Sequence, residues 1–85
     1  MPSTTVTVGS AVGLHARPAG IIANAVNESG YDVTLSVDGD EPVDAGSALM
    51  IMTLGAEQGA QVTVESDDQA TVDAIAALVA KDLDA

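Results

Sequence analysis

The residues best equipped for chemistry lie together in the stretch VGLHARPAG, positions 12 to 20. His15 is the one histidine of the chain, and Arg17 is one of only two cations set against 13 acidic residues. An unprotonated imidazole is a nucleophile near neutral pH. A guanidinium offers a planar fork of donors that matches phosphate oxygens. Pro18 fits a first helical turn, having no N–H to leave unpaired and a φ already set for the helix. If a helix begins near Ala16, His15 stands at its N-terminal boundary, where open backbone N–H groups and the helix dipole favour negative charge. The N–H groups of Ala16 and Arg17 and the Arg17 side chain would then cradle a phosphoryl group carried on His15. A plainer use of the same residues is that His15 only caps the helix while Arg17 pairs with a carboxylate. Residue types alone leave both open.

The elements that must position this stretch can be read from periodicity. Thr4 to Val8 alternates β-branched residues and reads as a strand with Val6 and Val8 inward. A loop over Gly9 to Gly13 follows, and then a helix from Ala16 to Asn27, in which Ile21, Ile22, Ala25 and Val26 recur at helical spacing and Gly30 is the stop. Tyr31 to Val37 alternates again, with Val33, Leu35 and Val37 on one face. Asp38-Gly39 signals a turn into a weak outer strand near Pro42-Val43. Ser47 caps a short helix through Met52 that ends at Leu54-Gly55. Gln61 to Glu65 forms the fourth strand. Ser66-Asp67-Asp68-Gln69 has capping-box spacing before a last helix that turns Val72, Ile75, Val79 and Leu83 inward. The order βαββαβα predicts an α+β fold: an antiparallel sheet with helices on one face.

With 85 residues, 1–85 is expected to form a single domain. Its core must be packed from small aliphatic side chains, because 47% of the chain is hydrophobic yet Phe and Trp are absent and Tyr31 is alone. There is no cysteine, hence no disulfide. The opening Met-Pro-Ser-Thr does not resemble an export leader, and the weakly polar run Ala45 to Ala56 is too short to span a bilayer. A cytoplasmic protein without membrane insertion is expected. The net charge of −11 argues against nucleic acid and anionic membranes as partners, since binding phosphates requires several Lys or Arg.

The segment GLHARPA, with the strand before it and SALMIMTLGA about thirty residues downstream, resembles the HPr phosphocarrier family of the bacterial phosphoenolpyruvate-dependent sugar phosphotransferase system. The resemblance runs through nearly the whole chain. It implies an open-faced β-sandwich, a four-stranded antiparallel sheet covered on one face by three helices. It also implies that Nδ1 of His15 accepts a phosphoryl group from enzyme I and passes it to the IIA domain of a sugar-specific enzyme II, with Arg17 stabilising the phosphate. On this view the protein is a stoichiometric carrier rather than an enzyme, a monomer that uses neither cofactor nor metal. Ser47 matches the position that a serine kinase modifies in many relatives, although its first reading is as a helix cap. By the same resemblance Ala48, Leu49, Met50 and Met52 join Ala16 and Gly20 in an apolar docking patch around His15. Packing demands alone would place some of Leu49, Met50 and Met52 in the core.

One departure concerns charge. Several relatives carry lysines on the first helix that meet acidic partners, where this chain has Asn24 and Asn27. Weak salt dependence of association, or partners with altered surfaces, is the expected consequence. Asp38-Gly39-Asp40-Glu41 lacks the spacing of a calcium loop and reads as a solvated turn. Two rival readings retain the fold: a regulatory module that uses phosphorylation only as a signal, and an interaction domain without phosphoryl chemistry.

Overall fold

The computed structural model describes residues 2–11, 13–37 and 40–81. Along them run β1 (Ser3–Thr7), α1 (Ala16–Ser29), β2 (Val33–Val37), β3 (Val43–Asp44), α2 (Ala48–Thr53), β4 (Gln61–Ser66) and α3 (Gln69–Ala80), the βαββαβα order expected. The strands form one antiparallel four-stranded sheet in the order β1-β4-β2-β3. The Asp38-Gly39 turn, the side chain of Leu83 and Val12 lie outside the described residues.

Strand alternation divides the sheet into a dry face and a wet one. Val33 and Leu35 on β2 and Val62 and Val64 on β4 are buried, and the register sets Leu35 against Val64 and Val6 against Val62. On the other face polar residues pair across strands: the hydroxyls of Thr5 and Thr63 lie 2.8 Å apart, and the Gln61 amide donates to the Thr7 hydroxyl at 2.7 Å. Three helices among the described residues cover the dry face. Ala19, Ile22, Ala23 and Val26 from α1, Ile51 from α2, and Val72, Ile75, Ala76 and Val79 from α3 complete an aliphatic core.

α1 runs two residues past the expected Asn27, to Ser29, because Gly30 supplies the left-handed C-cap with φ 77°. Its buried side is Pro18, Ala19, Ile22, Ala23 and Val26, so Ile21, expected inward, is exposed instead. At 100° per residue, positions 18, 19, 22, 23 and 26 share one side of the helix, and Ile21 falls beyond the edge of that stripe.

The start of α3 also differs. Ser66 belongs to β4, opposite Val33, and its hydroxyl donates to the Asp32 carbonyl at 2.8 Å. The N-cap is Asp68, whose Oδ2 accepts from the Thr71 N–H at 3.0 Å and from the Thr71 hydroxyl at 2.7 Å. Sheet pairing claims the serine, so the cap moves two residues on and the acidic pair precedes the first turn rather than filling it.

Candidate functional site

α1 begins where the sequence places it, with His15 as N-cap and its backbone extended at φ −88° and ψ −166°. The His15 carbonyl accepts the first helical bond from Ala19 at 2.9 Å, while its side chain makes no capping bond to the helix. The plainer reading, in which His15 only caps the helix, keeps its backbone part and loses a side-chain capping bond. Pro18 is buried and brings no N–H, which leaves the N–H groups of Ala16 and Arg17 as the open donors of the first turn. His15, Ala16 and Arg17 are all exposed. The imidazole therefore stands at a helix N-terminus, with Arg17 two residues on in the same first turn.

A second segment braces this corner. Leu14 is buried and its N–H donates to the Ala56 carbonyl at 2.9 Å, and the Gly13 N–H donates to Ser10 at 3.0 Å. Gly13 has φ 79°, and a Cβ there would collide with the Ala56 carbonyl oxygen and come within 2.8 Å of the Glu57 Cα. Only glycine allows the two backbones to approach so closely. Leu14, His15, Met52, Gly55, Ala56 and Glu57 consequently line one open pocket of about 310 Å³.

α2 supplies the apolar surround. Leu49, Met50 and Met52 are 69%, 40% and 37% exposed, and Ile21 on the neighbouring face of α1 is 38% exposed. The expectation that some of Leu49, Met50 and Met52 fill the core is wrong: Ile51 alone among the long side chains of this six-residue helix is buried, because one turn and a half presents a single inward position. Ala48 is half-buried and packs on the core, and Gly20 is half-buried with open space where a side chain would stand. Of the apolar residues expected around His15, Met52 lines the same pocket, Leu49 and Met50 are exposed on α2, and Ala48 is turned partly inward.

Ser47 is the N-cap of α2, its hydroxyl oxygen accepting from the Met50 N–H at 3.3 Å. The turn before it is held from two sides. The Asn27 side-chain amide donates to the carbonyls of Gly46 at 3.0 Å and Ala23 at 2.9 Å, and Asp44 Oδ1 accepts from the Gly46 N–H at 2.8 Å. The sequence marks Asn27 as a helix end and as a missing lysine, not as a hydrogen-bonding residue. Its role as a tie from α1 to the turn before α2 depends on an acceptor nineteen residues away. Gly13 and Glu57 were likewise passed over, since their importance lies in the packing of two loops.

Comparison with known proteins agrees with this geometry. The family model for the PTS HPr component phosphorylation site matches residues 2–81. The chain is 44% identical over 57 residues to phosphocarrier protein HPr of Streptomyces coelicolor, a match covering 67% of this chain and 61% of that protein, so it spans about three fifths of the relative's length. Among solved structures, HPr from Bacillus anthracis superposes with a TM-score of 0.81 at 32% identity, covering 92% of this chain and 95% of the other. HPr-C-His from Thermoanaerobacter tengcongensis gives 0.83 at 28% identity, covering 93% and 91%.

Proposed function

The chain belongs to the HPr phosphocarrier family of the phosphotransferase system, and we propose that it carries a phosphoryl group on His15 between phospho-enzyme I and a IIA domain. In the first step the His15 Nδ1 lone pair forms a P–N bond as the P–N bond of the donor phosphohistidine breaks, the electron pair returning to the donor imidazole. The second step repeats this toward the acceptor, with His15 as leaving group. Neither step consumes a proton or requires a second substrate, so the protein contributes positioning and charge stabilisation.

The observation that carries this reading is the placement of the one histidine at a helix N-cap without spending its side chain on the cap. Backbone N–H groups of Ala16 and Arg17 and the Arg17 guanidinium meet the charge of the phosphate. The exposure of the corner matters equally, because a carrier that buried its phosphoryl group under many donors would hold it too tightly to pass on. Ile21, Leu49, Met50 and Met52 give partners an apolar surface to dry, and unbranched methionines adapt to more than one of them.

Ser47 serves first as the α2 cap, and a kinase acting on it would add charge beside the docking residues rather than at the acceptor. Among the described residues no helix is long and apolar enough to cross a membrane, in keeping with a cytoplasmic carrier. Intact mass after incubation with phosphoenolpyruvate, magnesium and enzyme I is the test. A gain of one phosphoryl group, lost on brief acid treatment, is expected; no gain with an enzyme I proven on another carrier overturns the reading.

A further inference from the structure

The pocket beside His15 contains an arrangement that transfer chemistry alone does not call for. Glu57 lines it together with His15, and backbone contacts fix that proximity: Leu14 is bonded to Ala56, and Gly13 lies against the Glu57 backbone. The Glu57 carbonyl is itself held by the Ala60 N–H at 3.0 Å, so the residue sits on a closed turn. Its side chain is exposed. A carboxylate near a site that takes on phosphate raises the cost of phosphorylation unless a cation offsets it. Arg17 is the cation of the helix end, and the exposed side of α1 beyond it carries Asn24, which donates to Glu28 at 3.4 Å, rather than further positive charge.

We propose that Glu57 receives a lysine or arginine of the docking protein, so that the partners of this chain present cations around the transfer axis. This rests on the phosphocarrier reading and assigns the partner's chemistry. The exposed apolar residues of α2, of which Met52 lines the same pocket, supply the contact area, and Glu57 in that pocket supplies orientation and selectivity. The net charge of −11 acts in the same sense at longer range, attracting a cationic partner face and repelling an acidic one. Association then weakens as salt rises, which takes the second of the two expectations from the missing lysines, partners with altered surfaces, against the first, a weak salt dependence.

The test is the steady-state rate of phosphoryl transfer from the enzyme I of the same organism, measured for the native chain, Glu57→Gln and Glu57→Lys at low and high ionic strength. For the native chain, KM should rise with salt. At low salt E57Q should raise KM roughly threefold to tenfold and E57K more, with both effects falling on KM rather than kcat and fading at high salt. A merely structural role for this exposed residue would give an effect independent of salt. Unchanged or lower KM for E57Q at low salt overturns the proposal, as does an effect that follows magnesium concentration at constant ionic strength, which would place a metal ion rather than a partner side chain at Glu57. Failure of the native chain to accept phosphate would sink the phosphocarrier reading itself, whereas normal labelling with a flat salt profile sinks only this inference.

Discussion

α1 and α3 begin in opposite ways. Asp68 closes the start of α3 with two hydrogen bonds from Thr71, one from the backbone and one from the hydroxyl, and Thr71 is buried beneath it. His15 occupies the equivalent position of α1 and makes no such bond, although neither helix has an acidic residue in its first turn. One helix end is completed from within the chain, while the other keeps its donors turned outward. Pro18 has already removed one orphan N–H from α1 and the His15 side chain caps none of the rest, so the difference marks the α1 end as the one suited to the proposed binding of charge.

The largest expected effect comes from exchanging the two designs. His15→Asp should abolish acid-labile phosphorylation and at the same time raise unfolding free energy by about 0.5 to 1 kcal/mol, because aspartate is among the best N-caps. Mass spectrometry and urea denaturation read the two halves. Loss of both stability and phosphorylation would mean that the α1 end is not under-capped after all. Arg17→Ala should slow transfer roughly tenfold to a hundredfold, the loss of one charge-assisted hydrogen bond, with a small change in midpoint. Equal rates for R17A and the native chain would leave the backbone N–H groups as the only phosphate contacts.

The converse change at the closed end tests the contrast from the other side. Asp68→Ala should cost about 1 to 2 kcal/mol in stability and leave the transfer rate of the folded protein unchanged. A slowed transfer at full folding would show that the two helix ends are coupled. Ser47→Ala should cost less than Asp68→Ala, because the α2 cap rests on one bond of 3.3 Å. Smallest per charge, and spread over the whole surface, is self-repulsion: the melting temperature should rise with ionic strength, since 13 acidic residues face only two basic ones. A melting temperature that falls with salt would show that local pairing outweighs the net charge.

Much of the fold was legible because its signals are short in range. Alternation marked β2 and β4, Gly30 marked the end of α1, and Ser47 marked the start of α2, each within a few residues of the feature it controls. The failures share a cause. Ser66 carries a cap signature but is claimed by a sheet partner, Val33, thirty-three positions earlier. Leu49, Met50 and Met52 look like core residues until α1 and β3 leave room for only Ile51. The meeting of Glu57 with His15 depends on Gly13 letting one loop lie on another, and neither loop alone contains that fact.

By itself, then, the sequence determined the parts of the proposed chemistry: a single histidine, an arginine two positions on and a proline in the first turn of a helix are neighbours in the chain, so local backbone geometry suffices to bring them together. Tertiary structure decided what surrounds that chemistry. Which side chains of α2 face outward, which serine is a cap and which carboxylate borders the pocket are settled by contacts between residues far apart in sequence. Close packing admits one arrangement among those the periodicity permits, and that selection is made only when the sheet and helices are assembled.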